Sequence, residues 1–227
     1  MALYTISDLH LSFSTNKPMD IFRGWENHTD RIKANWNRLV GENDTVILPG
    51  DLSWGLKLEE TLDDFKFLET LNGRKIIGKG NHDLWWGTKA KILEFFEKNE
   101  IKSVDILFNN AYLVDGISVC GSRGWFFDSK ESGKKVILRE AARLETSIKA
   151  GIELGGEPIV FIHYPPVYAD MVCEEIFDII KKYGIKKIYH GHIHGVGLNK
   201  SVSHFDGVDF KLVSSDCVDF TPICVKK

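Results

Sequence analysis

Five short apolar runs in this chain each lead directly into a carboxylate, an amide or an imidazole. Residues 3–6 are followed by Asp8 and His10. Residues 46–48 are followed by Gly50-Asp51, and residues 75–77 by Gly80-Asn81-His82-Asp83. Residues 159–162 are followed by His163, and residues 187–189 by Gly191-His192-Ile193-His194. Runs this short, rich in Ile, Val and Leu and bounded by Gly and Pro, suit strands rather than helices. Helical periods lie between the first three. Ile32, Trp36, Leu39 and Val40 mark a helix over 27–40, Leu58, Leu62, Phe65, Leu68 and Leu71 mark one over 58–71, and 89–98 reads as a third. Gly41 and Gly73 stop the first two. Strand–helix alternation predicts an α/β fold with parallel pairing in the first half. In such sheets the ligand crevice lies at the carboxyl ends of the strands. The polar clusters are therefore expected to converge, although they run from residue 8 to residue 194.

The middle of the chain changes character. Residues 104–108, 111–114 and 117–120 read as consecutive strands, with Asn109-Asn110 and Asp115-Gly116 as turns. A long helix is expected over 134–154 and another over 171–183, and the tail over 208–225 is again strand-like. No repeat, linker or low-complexity tract interrupts the 227 residues, a length that suits one core, so 1–227 is expected to be a single domain. A chain with 43% hydrophobic and 27% charged residues is neither disordered nor fibrous. Its four cysteines form no CxxC pair, which removes zinc-ribbon and thioredoxin-type readings. No run approaches the ~18 apolar residues of a membrane span, and the first apolar stretch is broken by Asp8, unlike a signal peptide. A cytoplasmic protein with reduced thiols is expected. The net charge of −3 argues against a dedicated polyanion binder, so nucleic acid is disfavoured as a partner.

Imidazole nitrogen and carboxylate oxygen are the usual ligands of Zn, Mn and Fe. The clusters hold enough of them for two ions with one carboxylate as a bridge. Two divalent ions roughly 3.5–4 Å apart can generate a nucleophile and clamp phosphoryl oxygens. Gly50, Gly80 and Gly191 each precede a candidate ligand, where the backbone must turn or approach closely. Taken singly, most of these motifs are ordinary: Asp8-x-His10 suits a surface loop, Gly50-Asp51 a turn, and His163 a core histidine. Taken together in this order, they point to a metal site.

That ordered set resembles the calcineurin-like metallophosphoesterase superfamily. The resemblance implies a four-layer α/β/β/α sandwich, with two mixed β-sheets flanked by helices. It implies that Asp8, His10 and His194 hold one metal, that Asn81, His163 and His192 hold the other, and that Asp51 bridges them with a hydroxide between the ions. His82 would be catalytic and not a ligand, assisting the leaving group, and Asp83 would orient it. The reaction implied is hydrolysis of a small phosphomonoester or phosphodiester, with a nucleotide among the candidates, by in-line attack of the bridging hydroxide. A metal-dependent nuclease and a non-catalytic metal-binding scaffold are the alternatives.

One block departs from the protein serine/threonine phosphatases, in which it continues with an Asp and an Arg. Here Trp54 and Gly55 stand there, which argues against a phosphoprotein substrate. The phosphate-binding cation must then lie elsewhere. Arg123, after the strand at 117–120, is the first candidate, with Lys79 and Arg23 behind it. Trp54 is the candidate to stack on a substrate, and Trp85, Trp86, Trp125, Phe126 and Phe127 add to the aromatic density near these loops. His28, His190 and His204 match no motif.

Overall fold

The structure, a computed structural model, describes residues 1–125 and 133–227. In chain order the strands are β1 (Leu3–Thr5), β2 (Thr45–Leu48), β3 (Arg74–Ile77), β4 (Val104–Ile106), β5 (Tyr112–Val114), β6 (Ile117–Ser122), β7 (Glu157–Ile162), β8 (Val167–Tyr168), β9 (Met171–Val172), β10 (Lys187–His190), β11 (His204–Phe205), β12 (Val208–Leu212) and β13 (Ile223–Lys226). The α-helices are α1 (His28–Leu39), α2 (Leu62–Glu69), α3 (Lys89–Lys98), α4 (Lys134–Glu153) and α5 (Glu174–Lys182).

Two sheets carry the fold. The first has the order β13-β1-β2-β3-β4, and the second β11-β12-β10-β7-β6-β5. Both are mixed: β13 is antiparallel to β1, while β5 and β11 are antiparallel edge strands on an otherwise parallel second sheet.

Side chains on successive strand residues point to opposite faces, and the three core clusters follow that alternation. Leu3, Ile47 and Ile76 of the first sheet meet Ile117, Val119, Ile159 and Phe161 of the second in the layer between the sheets. The neighbours Tyr4, Val46, Leu48 and Ile77 point outward into a cluster with Ile32, Trp36, Phe65, Leu68, Ile92 and Phe96 of α1, α2 and α3. Cys120, Val160, Ile162 and Ile188 point outward against Leu144 and Ile148 of α4 and Ile176, Phe177 and Ile180 of α5. The architecture is the expected α/β/β/α sandwich. It also explains why the parallel strands read as unbroken apolar runs: both faces are covered.

The local expectations change in four places. The strand expected over 104–108 ends at Ile106 and joins the first sheet beside β3, so it is not part of the β5–β6 hairpin. The helix expected over 171–183 begins at Glu174, because Met171–Val172 pairs with Val167–Tyr168. The helix over 58–71 opens with a 3-10 turn at Leu58–Thr61 before α2. The tail is two strands in different sheets, β12 in the second and β13 in the first.

Phe161 is almost fully buried between the sheets. Phe161→Ala is expected to destabilise the protein by about 3–5 kcal/mol. Urea unfolding should read this as a lower midpoint with an unchanged m-value.

Candidate metal centre

At one edge the two sheets are joined by the backbone that continues their strands. Past β1, Ser7 N–H donates to Val213 O beyond β12 at 2.8 Å, and Ser215 N–H donates back to Ser7 O at 2.9 Å. Asp8 N–H reaches Gly50 O at 3.0 Å, His10 N–H reaches Asp51 O at 3.1 Å, and Gly191 N–H reaches His163 O at 3.2 Å. These bonds gather the ends of β1, β2, β7, β10 and β12 into one place, and Asp83, which accepts both Gly80 N–H and Asp51 N–H, ties in the end of β3.

The expected role of glycine is met in two ways. Gly50 has a φ of +119°. Gly80 and Gly191 keep ordinary backbone but have no room for a Cβ, which would fall on Asp51 Oδ1 at the first and Asp8 Oδ2 at the second. The left-handed backbone falls on the candidate ligands themselves, with φ of +60° at Asp8, +47° at His10, +53° at Asp51 and +72° at His192. Such conformations are uncommon outside glycine, although Asp and His tolerate them better than most residues.

The seven residues form one cluster. Asp8, His10 and His194 place donor atoms within 4.8 Å of one another, as do Asp8, Asp51 and His163. His194 Nε2 lies 3.1 Å from Asp8 Oδ1, and His10 Nε2 lies 4.0 Å from it. Asn81 Oδ1 faces His163 Nε2 at 2.7 Å and His192 Nδ1 at 2.9 Å. Asp51 Oδ2 stands between the two halves, 3.9 Å from His10 Nε2 and 3.4 Å from His163 Nε2.

The electrostatics fit a cation. Asp8 and Asp51 are buried, and their ion-pair partners are histidines rather than Lys or Arg. Burial, then Asp8 and Asp83, drive the Asp51 carboxyl well above the usual range. Burial works the same way on Asp8, but His194, His163 and His10 outweigh it and hold that carboxyl well below. Burial lowers His10 to about 3, against the opposing pull of Asp8. It also pushes His163 far down. His194 is the exception: burial is overcome by Asp8 and Asp216, which raise it to about 10. Buried carboxylates beside uncharged imidazoles are the donor set that a divalent ion stabilises.

Two supports were missed in the sequence. Asp216 Oδ1 lies 2.7 Å from His194 Nδ1, and its Oδ2 accepts Gly195 N–H at 3.2 Å. Ser214 Oγ donates to Asp8 Oδ2 at 3.2 Å. Both follow a strand end, β12, so the rule that exposed the other clusters would have found them.

Asp83 is fully buried and makes five hydrogen bonds. It accepts from the backbone N–H of Asp51, Leu52, Ser53 and Gly80 and from the Trp85 indole, and none comes from the His82 imidazole. His82 N–H donates to Asp51 Oδ1 at 2.7 Å, and its half-buried ring is packed 4.4 Å from Trp54. Burial keeps the His82 imidazole below its ordinary value, with His192, His194 and Lys17 adding to the effect against Asp8.

A cleft of about 490 Å³ opens over His10, His82 and His194, walled by Met19, Phe22, Trp25 and Trp54 and also lined by Arg23 and Asp216. Trp54 stacks on His10 at 4.9 Å, and Lys17 Nζ sits 4.7 Å from its ring centre. Arg123 lies elsewhere. It faces the buried Glu140 at 3.7 Å and stacks on Trp125, beside Lys79 and Arg143 in a separate small cavity. Trp85, Trp86 and Trp125 are core residues, and Phe126 and Phe127 lie outside the described residues. His28 and His190 are buried, and His204 is exposed and paired with Asp209 at 2.7 Å.

A mixed double-sheet sandwich with histidines and carboxylates at one strand edge defines a class of protein, and the comparisons name it. The sequence model of calcineurin-like phosphoesterases matches residues 1–196, and the chain belongs to that family. No curated protein matches it at a significant level. Among solved structures it is similar to the protein TT1561 of Thermus thermophilus (14% identity, 99% of this chain and 97% of that one, TM-score 0.56). It is also similar to a protein of unknown function from Aquifex aeolicus (17% identity, 98% and 95%, TM-score 0.52). A third is phosphopantetheinyl hydrolase from Mycobacterium tuberculosis (15% identity, 94% and 88%, TM-score 0.51). At these identities the likeness is one of fold. Family and donor set together support a metal-binding phosphoesterase.

Asp216 is expected to fix the His194 tautomer so that Nε2 faces the metal. Asp216→Ala should weaken Mn²⁺ binding about 10–100-fold, read by calorimetry. Unchanged affinity would show that Asp216 leaves the centre alone.

Proposed function

We propose that the protein is a dinuclear metal-dependent phosphoesterase acting on a small phosphomonoester or phosphodiester. The observation that carries this reading is the position of Asp51 Oδ2 between His10 and His163, with Asn81 and His192 beyond one and Asp8 and His194 beyond the other. That arrangement suits Asp8, His10 and His194 at one ion, Asn81, His163 and His192 at the second, and Asp51 at both. Mn, Fe and Zn all match these donors. When bound, two divalent ions supply a nucleophile at neutral pH and neutralise charge on the phosphoryl oxygens.

The chain's own residues do the rest. His82 lines the cleft with a neutral imidazole that donates an N–H to charge developing on the leaving oxygen. Asp83 acts on it at one remove. It holds the backbone of the Asp51 loop, and Asp51 in turn accepts His82 N–H. The apolar cleft walls exclude water and receive the leaving group. Arg123, paired with Glu140 and outside the cleft lining, is at most a distant support for substrate, and Trp54 acts first on His10 and His82.

The whole of 1–227 acts as one domain on this reading, since Ser214 and Asp216 beyond the matched region reach the ligands. Among the described residues no helix is long and apolar enough to cross a membrane. The four cysteines are unpaired, which suits a reducing cytoplasm.

Protein loaded with Mn²⁺ is expected to hydrolyse p-nitrophenyl phosphate or its bis ester. Absence of both turnover and bound metal would refute the reading. His82→Ala should lose about 10²–10⁴ in kcat while retaining its metal by elemental analysis. Loss of metal in step with activity would instead make His82 a ligand.

A further inference from the structure

The segment from Ser12 to Asn27 forms the outer lip of the cleft, and it carries two cations that have no carboxylate partner among the described residues. Arg23 lines the cleft and is exposed. Among the described residues it makes no hydrogen bond and no ion pair. Lys17 is likewise without a carboxylate among the described residues, and it sits over the Trp54 ring. Two acids nearby are engaged: Glu26 accepts Gly24 N–H at 3.0 Å, and Asp216 holds His194 and Gly195. Asp20, on the 3-10 turn at Met19–Ile21, is exposed and its charge acts on His28.

The lip is fixed at the point where Arg23 leaves it. Trp25 N–H closes a turn onto Phe22 O at 3.0 Å, which puts Arg23 at the tip. Arg31 Nη1 donates to Gly24 O at 2.8 Å, and Arg31 Nη2 pairs with Asp219 at 2.5 Å. Gly24, at φ +90°, supplies the turn's left-handed residue. A neighbouring arginine is thus spent on holding the backbone, while Arg23 itself is left uncommitted over a cleft. The cleft that Arg23 shares with His10, His82 and His194 is otherwise walled by Met19, Phe22, Trp25 and Trp54, and the one carboxylate in this lining is the engaged Asp216.

We propose that this lip is a second anion subsite. It selects a phosphoester whose leaving group is an apolar or flat body ending in a second anionic group, with Arg23 as the principal contact and Lys17 as the supporting charge. The proposal rests on the phosphoesterase reading and names its substrate class. The reacting phosphoryl group sits at the metal ligands, the body lies along Phe22 and Trp25, and the second anion meets the guanidinium, whose planar donors suit phosphate or carboxylate.

The test uses two matched probes, phenyl phosphate and 4-carboxyphenyl phosphate, on the Mn²⁺-loaded full chain. KM is read by phosphate release and Kd by calorimetry, because the two leaving groups differ in reactivity. The carboxylated probe should bind about five- to tenfold more tightly, the range for a partly exposed charge-assisted contact, and the advantage should shrink as salt rises. In Arg23→Ala the ratio should fall to about one, whereas Arg38→Ala, on the last turn of α1, should keep it. Equal Kd for both probes, or a ratio that survives Arg23→Ala, would overturn the subsite. Binding with the predicted ratio but no turnover of either probe would leave the subsite standing and refute the phosphoesterase reading instead.

Discussion

Two carboxylates, Asp8 and Asp51, are buried within reach of the same histidine, and among the described residues neither pairs with a lysine or arginine. Much of the rest of the molecule makes that arrangement tolerable. Burying a charge without compensation is among the largest penalties a fold can carry. The chain answers with donors: His192 N–H and Ser214 Oγ to Asp8, and His82 N–H to Asp51. A third carboxylate, Asp83, gathers four backbone N–H groups and holds the loop that carries Asp51. Four residues of this edge adopt left-handed backbone. Such strain persists only where the surroundings over-determine it, and here the bonds that join the two sheets do so. The site is pre-assembled because the sandwich closes around it.

The apolar side of the centre is equally particular. Trp25 sits 5.7 Å from both His10 and His194, and Trp54 packs on His10 and His82. These indoles fix ring orientations that hydrogen bonds do not, since His10 Nδ1 has no hydrogen-bond partner among the described residues. Aromatic packing therefore orients the His10 ring, whereas a hydrogen bond to Asp216 orients that of His194. The same residues wall the cleft, so ligand geometry and substrate shape are set by shared side chains.

The sequence made the convergence legible because β-strands in a parallel sheet end together. Five runs with polar residues after them were enough to assemble Asp8, Asp51, Asn81, His163 and His194 in advance. Sheet membership was not legible. β4 and β13 are short apolar runs like the others, and only contacts far along the chain place them in the first sheet. Asp216 follows a strand end too, but the tail over 208–225 reads as one strand-like stretch, which hides the end of β12 at Leu212. The surroundings of the candidate cations were not legible for a related reason. Arg123 follows a strand as the ligands do, but a buried glutamate on α4 claims it, whereas Arg23 comes from a loop with no periodic pattern.

The joining of β1 to the chain beyond β12 has a consequence in time. Synthesis proceeds from the N-terminus, and early domains or segments fold as they emerge. Asp8 and His10 are made well before His192 and His194, and before the Ser214 and Asp216 that brace the cluster. A partly made chain therefore presents isolated donors and no complete cradle. The complete, braced donor set waits on synthesis past residue 216, and a product that stops at residue 190 lacks His192, His194 and the seam that braces Asp8.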